Sequence, residues 1–252
     1  MIRFENVCKS LGGRKVLDGV SFEIEPGGTF VIVGPSGAGK SVTLKHMLCL
    51  YRPDSGKVVV DGEVISETPS NDLERVRKKF GVLFQNAALL EWLTVVENVA
   101  LPLREKTTMT EDEIQAAVRQ KLALVGLDNA GDKHPSELSG GMRKRAGLAR
   151  ALIESPEILL YDEPTSGLDP VSSRAIDALI NNTRKELKVT SVVVTHDLHS
   201  ALLIGTKIAM IYGGRILEVS TPDQFVASKQ EFVRGFQESQ FITTKGPWED
   251  KL

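Results

Sequence analysis

The chain has 252 residues, 41% hydrophobic and 25% charged, enough for one substantial buried core or a core with a subdomain attached. Its 31 basic and 33 acidic residues leave a net charge of −2, which gives no overall field for nucleic acid, and its two cysteines, Cys8 and Cys49, fit reduced thiols in a cytosolic setting. No run approaches the roughly 18 apolar residues that span a bilayer, and Glu5 sits where a signal peptide needs its apolar core, so any membrane the protein serves is expected to be crossed by another chain.

Short runs rich in branched residues at 21–24, 30–33, 57–60, 80–83, 158–161, 191–195 and 207–212, each bounded by Gly, Pro or polar residues, predict strands. Helical spacing over 110–125, 142–154 and 171–187 makes the class α/β with a partly parallel sheet. The N-terminal strands follow one another without helices, which predicts an antiparallel β flap beside the main sheet. From about residue 87 to 155 the pattern is mainly helical and breaks the strand rhythm. It predicts an α-helical subdomain inserted into a core formed by residues 1–86 and 156–220. Thr221, Pro222 and Gln224 form a capping-box pattern. They predict one helix running to about Gln237, with Phe225, Phe232 and Phe236 on or near one face, followed by a mobile tail over 243–252.

The octapeptide GPSGAGKS at 34–41 follows the apolar run at 29–33. Gly34, Gly37 and Gly39 let the backbone around Pro35, Ser36 and Ala38 fold tightly and aim its N–H groups inward, an anion nest at the N-terminus of a helix. Lys40 adds positive charge for the β- and γ-phosphates of a nucleotide, and the Ser41 hydroxyl is a ligand for Mg²⁺. A bare strand-turn-helix is the bland alternative. Against it stands the apolar run at 158–161, which ends in Asp162 and Glu163 and so sets two carboxylates where open α/β sheets bind ligands. Asp162 is suited to Mg²⁺, and Glu163 to orienting and deprotonating a water for attack on the γ-phosphate.

Leu138, Ser139, Gly140, Gly141 and Met142 open a further amphipathic helix. With the motifs above, this segment resembles the signature LSGGQ of the ATP-binding subunits of ABC transporters, and the resemblance covers roughly residues 1–225. It implies a RecA-like P-loop NTPase core, ATP and Mg²⁺ as cofactors, and ATPase activity. It implies that Gln85 contacts Mg²⁺ or the attacking water, and that His196 lies near the γ-phosphate. A second copy of the chain is implied as partner, packed head to tail, with Ser139 to Met142 of one copy completing the site built by residues 34–41 of the other and Asp169 across the interface. Such a dimer closes with ATP and reopens after hydrolysis. Two residues depart from the family pattern. Leu11 stands where most members place an aromatic ring under adenine, and Met142 replaces the signature Gln.

Met142, Arg143, Lys144 and Arg145, together with residues 84–105, resemble the ATPases of Mla-type, MCE-associated lipid transport. That likeness implies phospholipid movement between membranes, an integral-membrane permease, an MCE-type lipid-binding protein, and a position on the cytoplasmic face of the inner (plasma) membrane, peripheral through the permease. Ala87, Ala88, Leu89, Leu90, Trp92 and Leu93 form either a groove for a helix of that permease or subdomain core. Arg143, Lys144 and Arg145 are expected to reach phosphate, lipid headgroups or solvent. Two other readings stay open: a soluble ABC ATPase acting in assembly or scaffolding without a permease, and a nucleotide-dependent interaction module that does not hydrolyse.

Overall fold

Strands buried on both faces need apolar residues at successive positions, and the short runs read from the sequence supply them. In the computed structural model, which describes residues 1–69 and 72–240, the chain opens with β1 (Ile2–Leu11), β2 (Arg14–Ile24) and β3 (Thr29–Val33), then α1 (Lys40–Met47), β4 (Ser55–Val60), β5 (Glu63–Val64) and α2 (Leu73–Arg77). It continues through β6 (Phe80–Leu83), α3 (Val95–Lys106), α4 (Glu111–Leu124), α5 (Gly140–Leu152), β7 (Ile158–Asp162) and α6 (Pro170–Leu187). The last elements are β8 (Thr190–Thr195), α7 (Leu198–Ile204), β9 (Lys207–Tyr212), β10 (Arg215–Ser220), α8 (Pro222–Val226) and α9 (Glu231–Gln240).

Six strands form one sheet in the order β10-β9-β3-β8-β7-β6, parallel except for the edge strand β10. The other four form an antiparallel sheet in the order β2-β1-β4-β5. Successive side chains of a central strand point to opposite faces, and here they enter two separate cores. Val31, Val33, Leu159, Tyr161 and Val193 pack with the helices of residues 95–152, whereas Phe30, Ile32, Ile158, Leu160, Val192 and Val194 pack with the antiparallel flap. Phe4, Phe22 and Phe30 stack in series, with ring centroids 4.6 and 5.3 Å apart, and bind that flap to the main sheet.

Helix starts follow their caps. Thr94 and Thr110 each close a capping box with the glutamate three residues on, and Asp169 caps α6 ahead of Pro170. The predicted capping box at Thr221 also forms. The single C-terminal helix does not: Ser228 donates its hydroxyl to Glu218 and accepts the Gln230 N–H, ending α8 before α9 begins. The three phenylalanines therefore do not share a face. Phe225 is buried, Phe232 stacks on Tyr212 at 4.6 Å, and Phe236 lies against the core. The predicted tail at 243–252 lies outside the described residues.

Candidate nucleotide site

The C-terminal ends of β3 and β7 and the start of β8's following loop meet at one cavity of about 450 Å³, lined by Leu11, Val16, Ser36, Gly37, Gly39, Lys40, Ser41, Val42, Gln85, Glu163 and His196. Two glycines of the loop are required by contact rather than by flexibility alone. A Cβ on Gly34 would come 2.2 Å from the Ile211 carbonyl oxygen, and one on Gly39 would come 2.8 Å from Leu17 Cδ2. Pro35 holds the turn by accepting the Ala38 N–H, and Ala38 is buried against the flap-side core.

Lys40 is 7% exposed, with its Nζ donating to the carbonyls of Gly34 (2.8 Å) and Pro35 (3.1 Å) and standing 3.5 Å from Glu163 Oε1. Glu163 is itself buried and holds a left-handed backbone, φ 48, a conformation that costs a non-glycine residue about 1 to 2 kcal/mol. Its Oε2 accepts the His196 backbone N–H and lies 2.8 Å from His196 Nδ1. Because a carboxylate only accepts, that geometry places an imidazole proton on Nδ1 of this ring, which lines the cavity.

The Ser41 hydroxyl donates to Asp162 Oδ1 at 2.8 Å. Burial pushes the Asp162 carboxyl above its ordinary range, partly offset by that hydroxyl, and among the described residues Asp162 forms no ion pair. An oxygen-only donor set of Ser41, Asp162 and the nearby Gln85 fits Mg²⁺ shared with phosphate oxygens. No group of three His, Cys, Asp or Glu among the described residues would hold a metal by itself.

Ser139, Gly140, Gly141 and Met142 are absent from the lining of this cavity. Ser139 caps α5 by accepting the Met142 N–H at 3.3 Å, and Met142 packs against the helical core. Gly140 and Gly141 lie beside Leu168 and Ser172, so the start of α5 shares a surface with the loop ending in Asp169. Asp169 Oδ1 accepts the N–H groups of Val171 and Ser172, and its carboxyl is held below the usual range by the Ser172 hydroxyl first and by these N–H groups after it. On this chain the start of α5 is therefore separate from the cavity built by the loop at 34–41.

Of residues 143–145, read as candidates for phosphate, lipid headgroups or solvent, Lys144 instead turns inward. It is 5% exposed and donates to the carbonyls of Gln85 and Glu163. These two main-chain carbonyls satisfy its ammonium. Arg143 folds back onto the Leu138 carbonyl. Of the residues placed in the groove beside Gln85, Ala87 is buried, Leu89 packs on the core, and Trp92 stands 73% exposed.

Residues 17–166 match the family described as ABC transporter. The chain belongs to the ABC transporter family. It is the ATP-hydrolysing motor subunit of such a transporter, with the expected P-loop core, antiparallel β subdomain and helical subdomain. It is 40% identical over 250 residues, 99% of this chain and 70% of the relative, to "Probable ribonucleotide transport ATP-binding protein mkl" of Mycobacterium tuberculosis. It is 36% identical over 239 residues, 93% of this chain and 90% of the relative, to "Intermembrane phospholipid transport system ATP-binding protein MlaF" of Haemophilus influenzae. Among solved structures it resembles the ATP-binding cassette MJ0796, determined as a dimer in a post-hydrolysis state bound to ADP and Pi, with 33% identity, a TM-score of 0.81, and coverage of 88% of this chain and 99% of that one.

This ABC ATPase binds ATP, and Leu11 and Val16 form the apolar end of the cavity on the flap. Val16 escaped the sequence reading because β2 was recognised only over its last four residues, although the strand begins at Arg14. With no ring at Leu11, Leu11→Tyr is expected to tighten ATP binding about two- to tenfold by stacking, since such contacts contribute about 0.5 to 1.5 kcal/mol. Titration with a fluorescent ATP analogue checks this; unchanged affinity would place adenine elsewhere.

Proposed function

We propose that Glu163 is the general base of hydrolysis, with Gln85 and His196 completing the attack geometry. Glu163 Oε1 takes the proton of the attacking water as its oxygen bonds to the γ-phosphorus and the bond to the bridging oxygen breaks. His196 Nδ1 holds Oε2, and Nε2 faces the γ-phosphate. Lys40 exchanges the carbonyls of Gly34 and Pro35 for phosphate oxygens, and the loop N–H groups bind the remaining anionic charge. Ser41, Asp162 and Gln85 would hold Mg²⁺, which when bound neutralises charge on the β- and γ-phosphate oxygens. Ser139, Gly140, Gly141 and Met142 of a second copy cover the γ-phosphate through a helix N-terminus, and Asp169 lines the interface. This reading is supported by the separation of the two half-sites on one chain and by the dimeric form of the cassette MJ0796.

The domain assignment we propose is 1–225 for the ATP-binding unit, with residues 87–155 as the helical subdomain and 221–252 as a C-terminal extension. The cargo we propose is phospholipid. The observation that carries this is the signature segment Met142, Arg143, Lys144 and Arg145, joined by likeness to MlaF over 90% of that relative's length. On this reading the exposed Trp92 and Phe84 meet an integral-membrane permease at the cytoplasmic face of the inner membrane, and an MCE-type protein receives or supplies the lipid. The complex purified from solubilised membranes is expected to contain such a permease and, rebuilt between vesicles, to move a fluorescent phospholipid only with ATP. ATP-driven uptake of methionine or a ribonucleotide without lipid movement would replace this cargo, and recovery from the soluble fraction with no permease would favour an assembly ATPase.

A further inference from the structure

A buried ammonium ordinarily pairs with a carboxylate. Lys144 does not: among the described residues it forms no ion pair, and its Nζ is satisfied by two main-chain oxygens, those of Gln85 and of Glu163, the latter at 3.1 Å. These carbonyls lie 59 and 19 residues from it in sequence, on the two turns whose side chains enter the nucleotide cavity.

Both turns are conformationally costly. Glu163 is left-handed, and two residues past Gln85 the chain passes through successive left-handed alanines, Ala87 (φ 58) and Ala88 (φ 51), with no glycine to relieve them. One face of α5 grips that segment at three-residue steps. Lys144 takes the Gln85 carbonyl. Gly147 lets the helix lie against it, since a Cβ there would come 2.9 Å from Leu83 Cδ1 and 3.0 Å from Ala87 Cβ. Arg150 donates Nη2 to the Ala87 carbonyl (2.9 Å) and Nη1 to the Ala88 carbonyl (2.7 Å). Of these three residues, Lys144 alone also reaches Glu163.

We propose that Lys144 is a positioning residue for ATP hydrolysis, one ammonium that ties the Gln85 turn to the Glu163 turn and so fixes the two side chains relative to each other. The proposal rests on the assignment of Glu163 and Gln85 above. Lys144 stays a cation at neutral pH: burial lowers its pKa to about 8, against which the charges of Asp162 and Glu163 act. Its role is geometric. Released from the tether, the Glu163 turn is held by the Ser166 N–H and the Val194 carbonyl, neither of which reaches the Gln85 segment.

The test compares Lys144→Met, nearly equal in length and without donors, with Lys144→Arg, which keeps a cation with donors enough for both carbonyls, in the purified full chain. Lys144→Met is expected to lower kcat by about thirtyfold, the scale of a misplacement below 1 Å, while ATP-analogue Kd stays within about twofold of the parent. Lys144→Arg is expected to recover much of that loss. A kcat for Lys144→Met within about threefold of the parent, affinity lost in the same proportion as kcat, or Lys144→Arg no faster than Lys144→Met would each overturn the proposal. If Glu163→Gln still hydrolyses ATP, the assignment of the base fails. If Glu163→Gln is inactive and Lys144→Met is not impaired, only the tether fails.

Discussion

Glu163→Gln is expected to slow ATP turnover by about 10²- to 10⁴-fold, the usual contribution of a positioned general base, while ATP stays bound. The carboxamide has the volume of the carboxylate, so the left-handed turn at residue 163 and the packing around it survive. Its carbonyl oxygen still accepts from the His196 backbone N–H. What disappears is the oxygen that faces Lys40 at 3.5 Å, the acceptor for the water's proton. Without that acceptor the chemical step stalls after binding, and the free energy of the shared phosphate contacts is retained by the closed state. The variant is therefore expected to run as an ATP-dependent dimer in size-exclusion chromatography, where the parent returns to monomer as ATP is consumed. Steady-state hydrolysis near the parent rate, or no change in size with ATP, would remove Glu163 from the base role.

The loop at 34–41 was legible because each residue answers a local demand. Gly34 and Gly39 sit where a Cβ would strike Ile211 or Leu17, and Lys40 and Ser41 begin α1 with side chains turned into the cavity. The strands of the parallel sheet were legible for the same reason, since burial on both faces favours near-continuous apolar runs. β1 was not. Asn6 has φ 48, and the pairing with β4 shifts register between Glu5 and Cys8, so the two-residue alternation that marks a strand is broken at its middle. β10 is interrupted likewise between Ile216 and Glu218. Lys144 was misread on a different ground. A cation on an amphipathic helix is assigned outward because its acceptors are expected to be water or carboxylate, but here they are main-chain carbonyls from distant turns. Every residue has a carbonyl, so no sequence pattern announces which ones converge.

A pair of inactive variants is expected to restore hydrolysis when mixed, if the site is shared between copies. Lys40→Met removes the phosphate-binding cation from one half-site and leaves α5 untouched. Gly141→Asp acts on the other half: a Cβ at Gly141 meets only Ser172, at 3.7 Å, an ordinary contact, so the free chain accepts the substitution. The first turn of α5 holds no acid, and a carboxylate near a helix N-terminus even favours the isolated helix. Its damage appears only when that N-terminus approaches a γ-phosphate, where like charges meet with little water between them. Each variant alone is expected to lose at least about a hundredfold in turnover, comparable to deleting a principal charge-stabilising contact. Gly141→Asp keeps near-parent ATP affinity in the monomer, because its own residues 34–41 are intact. In a mixed dimer, the intact loop of the Gly141→Asp chain faces the intact Ser139 and Gly141 of the Lys40→Met chain, one complete site. The mixture is expected to hydrolyse ATP and to form a nucleotide-dependent dimer that neither variant forms alone. A mixture as inert as its components, with no mixed dimer, would mean that each chain completes its own site and that the loop at 34–41 and the start of α5 on one chain close by an internal movement instead.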